Sequence, residues 1–441
     1  MGRILAGCER VNSVLNPYRL MGERGRKGWT GLLILALLTG CSELARDRSR
    51  ASPAEMPERP IYVLFDNTKA ETAGNADWVV DAVGRDPGRI TPIVPLPRNP
   101  QGETDWDGAL SSWGVELVRR GVADVNSLPS SGRITFLDPT NPQDLSKYHV
   151  FVVCEPNIAF TPAERRAILE FVHNGGGLFI IANHAGADRN NDGADPPEIW
   201  NALFRETGAP RGQLGLWFNR ETIRHEDPDV KGDVNDPDVD AVLNGPFGSV
   251  RGSIIRSGAD MIIDPDVNPT VRGVLFRRGF SPQGRSGVFA ALCRWGRGRL
   301  FAIGDSSPAD DGTGDTSDRL FDGWRDPAGS NRELFLNATV WLAGDAVVDE
   351  APTLIGITPN RARAGRTARL LINARNSHFS PELTTISFGE GVDIERVTVI
   401  DEETLTVNIS VHAQAAGPRT VEVVTGDEIL RVPDGFIIDG A

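Results

Sequence analysis

The sequence is short of cysteine, of basic charge and of long apolar runs, and each shortage excludes something. Only Cys154 and Cys293 remain among its four cysteines once the first 41 residues are set aside. The two can pair, but both lie in apolar, strand-like runs, where a buried free thiol is the default. Lys and Arg total 46 against 60 Asp and Glu, a formal charge of −14 over 441 residues. That sign argues against nucleic acid, whose phosphates need a basic partner surface. The apolar run Gly31 to Leu38 is too short to span a bilayer. The segment Gly304-Asp305-Ser306-Ser307-Pro308 lacks the G-x-S-x-G elbow, which counts against Ser306 as a nucleophile.

What is present begins with a leader. Arg24, Arg26 and Lys27 precede the Gly31 to Leu38 run, the order of a secretory signal over residues 1–40, with Met21 a candidate true start. Leu38-Thr39-Gly40-Cys41 resembles the lipobox of bacterial lipoproteins, and the resemblance implies lipidation of Cys41 and a membrane partner through that anchor. The expected location is the cell envelope, at the outer membrane or cell surface. The leader holds six basic and two acidic residues, so its loss takes the formal charge from −14 to −18. Residues 41–59, rich in Ala, Arg, Glu, Pro and Ser, read as a tether.

Residues 60–347 alternate apolar strands with helices, which predicts an α/β fold: an open, mostly parallel sheet with helices on both faces. Strands are expected at Ile61 to Phe65, Arg133 to Leu137, Val150 to Cys154 and Leu178 to Ala182. Helices are expected at Trp78 to Val83, Trp106 to Arg120 and Pro197 to Phe204. A further helix opens on Thr161-Pro162-Ala163-Glu164, which has the residues of a capping box. An irregular, partly β insertion fills about 208–274; its His225-Glu226-Asp227 and Asp233 to Asp240 runs read as a solvated face. Gly287 to Trp295 and Arg299 to Gly304 form a hairpin, and Asn331 to Leu342 a closing amphipathic helix.

The chemistry is expected where strands stop. Four apolar runs end near Asp66, Glu155, His184 and Asp305, and the carboxyl ends of parallel strands gather at one rim, where ligands bind. These four are the candidate acid and base groups. Glu71, Asn75, Asp77, Asn183 and Ser306 are candidate ligand contacts, with Asp310, Asp311 and Asp315 close by. Carboxylates brought together bind a cation or share protons. Cys154 sits at the same rim, where a packed thiol is the default over a nucleophile. After His184 the order Asp188, Asn190, Asp192, Gly193 is the D-x-N-x-D-G start of a calcium loop, and Asp195 adds a carboxylate. Ile199 stands where the bidentate Glu belongs, so both a Ca2+ loop of another geometry and an Asx-rich turn without metal remain open.

GGGLFIIANH and RWGRGRLFAIGD resemble segments of the class I glutamine amidotransferase-like superfamily, and within it the ThuA-like branch. The resemblance covers Pro60 to about Gly344 and implies a flavodoxin/amidotransferase-like sheet and carbohydrate chemistry. His184 occupies the elbow position that holds the cysteine nucleophile in the family, which removes thioester chemistry, and the hairpin ends in Asp305 rather than His. Residues 351–441 change to short alternating strands; Pro352 to Pro359, His378-Phe379 and Ile386 to Gly389 resemble the IPT/TIG family. That implies an immunoglobulin-like sandwich acting as a spacer or adhesion unit toward a protein partner.

Two functions follow from different classes. One is a degenerate, calcium-stabilised module binding a carbohydrate or other small ligand at the strand ends. The other is an exported hydrolase or lyase using the rim carboxyls and His184, or a metal, on carbohydrate.

Overall fold

Ile61, Val63 and Phe65 face one apolar core and Leu64 the other, so the first strand, β1 (Ile61–Asp66), is covered on both sides. A computed structural model describes residues 56–57, 60–73, 76–81, 100, 105–106, 108–208, 210–313, 322–344 and 351–440. The signal segment, Cys41, most of the tether and Asn75 therefore lie outside the described residues.

After β1 come α1 (Ser111–Arg119), β2 (Ala123–Leu128), β3 (Val150–Cys154), α2 (Pro162–His173), β4 (Gly177–Ile181) and α3 (Pro196–Arg205). The insertion holds β5 (Leu216–Phe218), β6 (Ile223–Glu226), β7 (Val230–Lys231), α4 (Pro237–Leu243), β8 (Ile255–Gly258), β9 (Met261–Ile263) and β10 (Arg272–Phe276). The hairpin of β11 (Val288–Trp295) and β12 (Gly298–Ile303) and the closing helix α5 (Asn331–Ala343) complete this part.

The sheet runs β2-β1-β3-β4-β12-β11-β10-β7. Its first five strands are parallel, and from β12 outward the pairs are antiparallel. The sheet is thus mixed, with the parallel half holding the strand ends of interest. Alternate residues serve two cores: Val152, Phe179 and Phe301 join α1, α4 and α5 on one face, while Phe151, Leu178 and Leu300 join α2 and α3 on the other. Helix α2 starts on the full capping box, Thr161 accepting from the Glu164 N–H and Glu164 accepting from the Thr161 N–H. Gly177 must be glycine because a Cβ there would come 2.4 Å from the Leu342 carbonyl of α5.

Two expected elements are absent among the described residues. Arg133 to Leu137 forms no strand, because the Asp144 carboxylate accepts from Thr135 Oγ1, Leu137 N and Asp138 N and curls the segment around itself. The sheet edge is β2 instead. Trp78 to Asp81 forms no helix; the Trp78 N–H bonds the Glu71 carbonyl and a Thr72–Asp77 bridge folds the chain back, while Ala82 and Val83 lie outside the described residues. The helix expected from Trp106 begins only at Ser111, and α5 is buried around most of its circumference rather than amphipathic.

The C-terminal region is all β: β13 (Thr353–Thr358), β14 (Arg361–Arg363), β15 (Thr367–Arg375), β16 (Thr384–Ser387), β17 (Val392–Asp401), β18 (Thr404–Val411), β19 (Gly417–Thr425) and β20 (Glu428–Asp439). Two four-stranded sheets, β13-β15-β18-β17 and β14-β20-β19-β16, enclose one apolar core and are antiparallel apart from the β14–β20 pair. Arg375, buried, joins this region to the first. Its guanidinium lies 3.3 Å from the Tyr62 ring centre and donates to the Lys147 carbonyl at 2.6 Å. Lys147 Nζ returns a bond to the Leu354 carbonyl at 3.1 Å. Arg375→Ala should remove about 2 kcal/mol or more of desolvated cation–π contact. Calorimetry is expected to resolve two unfolding transitions in the variant where the parent shows one.

Candidate functional site: a carboxyl rim at the strand ends

Parallel pairing in register fixes which side chains meet. Phe65 lies opposite Val152, Cys154 opposite Ile181, and Ile181 opposite Ile303, so Asp66, Glu155, Asn183 and Asp305 emerge along one edge. Two of these tips, Glu155 and Asn183, are joined through Ser306. Ser306 Oγ donates to Glu155 Oε2 at 2.8 Å, and Asn183 Nδ2 donates to Ser306 Oγ at 3.3 Å. Glu155 holds φ at 46°, a left-handed conformation that a glutamate adopts at a cost of order 1–3 kcal/mol. The strained elbow of the rim is therefore at Glu155, just after β3, whereas His184, after β4, has no such conformation.

On the β1 side, Asp66 and Glu71 are both buried and hydrogen-bonded to each other. Glu71 stands well above the ordinary carboxyl range through burial first and then the Asp66 charge. Burial also raises Asp66, while its hydrogen bond with Glu71 works in the opposite direction. The pair holds its proton on Glu71 and its charge on Asp66. The Lys69 N–H points between the Glu71 oxygens, 3.1 and 3.0 Å away, and Thr68 donates to Asp66 from its backbone N–H at 3.1 Å.

Burial likewise raises Glu155, to about 7; the Arg189 guanidinium and the Asn183 and Ser306 hydrogen bonds oppose the rise, and the Asp305 charge assists it. Asp305, raised by burial, accepts from the backbone N–H groups of Arg256, Ser257 and Ser307 at 2.7, 3.1 and 2.9 Å. Beneath this ring lies Cys154, its thiol pushed well up by burial and by the charges of Glu155, Glu71, Asp305 and Asp310. Such a thiol is a packed group and a poor nucleophile. Asp310 and Asp77 are also buried.

His184 is half-buried, and its Nδ1 lies 2.7 Å from the carbonyl of Ala185. Among the described residues its ring makes no hydrogen bond to Asp66, Glu155 or Asp305, and the groups bonded at the rim are Glu155, Asn183 and Ser306. The following loop closes largely on its own backbone. Asp188 accepts from Asp192 N and Gly193 N, Asp192 from Ala194 N, and Asn190 donates to the Asn157 carbonyl. Asp195 caps α3 through the Glu198 N–H and binds Gly186 N and the Arg220 guanidinium, leaving it committed elsewhere. Among the described residues no cluster of three or more His, Cys, Asp or Glu stands in metal-holding geometry.

Residues that sequence reasoning passed over hold the rim in place. Asn157 Nδ2 donates to the carbonyls of Ala70, Thr72 and Glu155, and its Oδ1 accepts from Arg189 N, so one amide ties the β1, β3 and β4 loops. Arg189 Nη2 reaches Glu155 at 3.4 Å, and Lys69 Nζ reaches Glu164 at 2.6 Å. No local motif marks these partners, which come from different loops.

No family model and no curated relative matches the chain. Among solved structures it is similar to the mmIFT52 N-terminal domain at 13% identity, covering 65% of this chain and 99% of that one, with TM-score 0.38. It is similar to the Cytoplasmic Protein STM3548 from Salmonella typhimurium at 14% identity, over 64% and 97% of the two chains, TM-score 0.34. SGBP-B from a complex xyloglucan utilization locus in Bacteroides uniformis gives 12% identity, 49% and 42% coverage, and TM-score 0.15. Likeness at this level carries no conclusion about fold or activity.

Because Glu155 binds its proton more tightly folded than unfolded, its contribution to stability is complete below the ordinary carboxyl range and is lost as pH rises through about 7. Glu155→Gln abolishes this loss. Urea unfolding at pH 5 and pH 8 should show the wild type falling relative to the variant by up to roughly 3 kcal/mol; equal pH slopes would remove the buried proton.

Proposed function

We propose that this is an exported, lipid-anchored envelope protein whose α/β domain binds a carbohydrate or other small hydroxyl-bearing ligand at the carboxyl rim. The observation that carries this reading is the bonded meeting of β3, β4 and β12 tips through Glu155, Ser306 and Asn183, beside the Asp66–Glu71 pair. Carboxylates and an amide offer the acceptors and donors that vicinal hydroxyls require, and the edge is where open parallel sheets bind ligands. The raised Cys154 thiol favours a degenerate amidotransferase-like domain over one with thiol chemistry. In this reading the domain keeps the flavodoxin/amidotransferase-like, ThuA-related plan, the C-terminal region is an IPT/TIG immunoglobulin-like spacer facing a protein partner, and Cys41 carries the lipid. Calorimetric titration with a panel of neutral oligosaccharides is expected to find a ligand whose affinity falls at least tenfold in both Asp66→Asn and Glu155→Gln. A panel with no ligand, or a ligand indifferent to both changes, defeats the reading.

Calcium enters as a stabiliser of the loop after β4. Support comes from the residue order and from Gly193, whose φ of 92° and bond to Asp188 make the sharp turn such a loop needs. Calcium should raise the melting temperature, and Asp188→Ala with Asp192→Ala should abolish the rise.

A hydrolase or lyase is the second reading, favoured by one observation: Glu155 exchanges its proton near neutrality while accepting from Ser306. It requires reducing-sugar release that inflects near pH 7 and disappears in Glu155→Gln.

A further inference from the structure

Away from the rim, the insertion builds two adjoining cavities of about 580 and 260 Å3 that share Ile263 and Arg285 in their walls. Together they reach the size of ordinary small-molecule sites, about 300–1,000 Å3. The smaller one is lined by Leu216, Trp217, Ile262 and Val267, and its floor is backbone: Gly212 and Gly215 hold φ at 84° and 71°. A Cβ on Gly212 would fall 1.9 Å from the Phe204 carbonyl, so this loop lies directly against α3.

Three charged groups line the smaller cavity, and two of them neutralise each other. Arg285 bonds Asp264 at 3.0 Å and also Asp266 at 2.7 Å. Arg211 is exposed, meets no carboxylate among the described residues, and rests its guanidinium 5.6 Å from the Trp217 ring centre. Val267, in the wall of the smaller cavity, is 47% exposed and offers apolar surface to solvent beside Trp217 and Ile262.

We propose that this cleft is a second binding site, for a small amphipathic carboxylate whose anion pairs with Arg211 and whose apolar body lies along Trp217, Ile262 and Val267. A planar guanidinium with its donors unclaimed by acid matches a carboxylate's two oxygens, and its stacking on an indole pre-orients it for that pairing. The chain as a whole carries an acidic excess, so an arginine without a carboxylate partner at the edge of this cleft supplies the selectivity for an anion. The inference does not depend on ligand binding at the rim.

The test uses benzoate and its uncharged isostere benzamide, titrated calorimetrically into the full-length lipid-free protein and into Arg211→Gln. Benzoate is expected to bind wild type at least tenfold more tightly than benzamide, and Arg211→Gln should erase that ratio while leaving the melting temperature unchanged. Equal binding of the two probes to wild type, no binding of benzoate, or a ratio preserved in Arg211→Gln each overturns the proposal. Should Arg211→Gln fold poorly, the wild-type comparison of benzoate with benzamide decides alone.

Discussion

Parallel strands in register force their carboxyl ends onto one edge, and here that edge is made of acids removed from water. Asp66, Glu71, Glu155, Asp305 and Asp310 are all buried. An interior does not hold that many carboxylates at full charge without countercharges or donors. The structure answers with a different device at each: a proton shared between Asp66 and Glu71, backbone N–H groups around Asp305, and a hydroxyl and a distant arginine on Glu155. Loop conformation near the rim follows from these requirements. Glu155 leaves the ordinary backbone regions with its carboxylate on Ser306, and Asn157 donates to the carbonyl of that turn and to those of Ala70 and Thr72 in the loop after β1.

Much of this was legible in the residues. Runs apolar on both faces, such as Val150 to Cys154 and Leu178 to Ile181, can be little else than covered strands, and Thr161-Pro162-Ala163-Glu164 fixes the start of α2. The rim itself follows from that, since any parallel arrangement of those strands places their acidic ends together. Strand β2 escaped notice because Asp124, Asn126 and Ser127 give it a loop's composition at an edge position with little to bury.

The partners of the expected site residues were the part that sequence order could not supply. His184 follows β4 as counted, and its Nδ1 lies against the neighbouring Ala185 carbonyl. Asp195, expected beside Asp192 in the loop, caps α3 and pairs with Arg220, which periodicity cannot bring near. The acidic run of the insertion read as a solvated face, whereas Asp236 caps α4 and pairs with Arg272, and Asp238 binds Arg294 and the Trp341 indole. Glu226, read the same way, pairs with Arg277. Arginines supplied from β10, β11 and the turn after β10 convert those carboxylates from solvent groups into structural ones.

The place where Arg375 enters has a further meaning. Tyr62 is near the start of β1 and Tyr148 just before β3, so the all-β region grips the sheet at its amino-terminal border, the border opposite the acids. One margin of the sheet thus serves as a mounting, and the opposite one carries the acids. A pull on the all-β region is therefore carried through Arg375 to the roots of β1 and β3, away from Asp66 and Glu155.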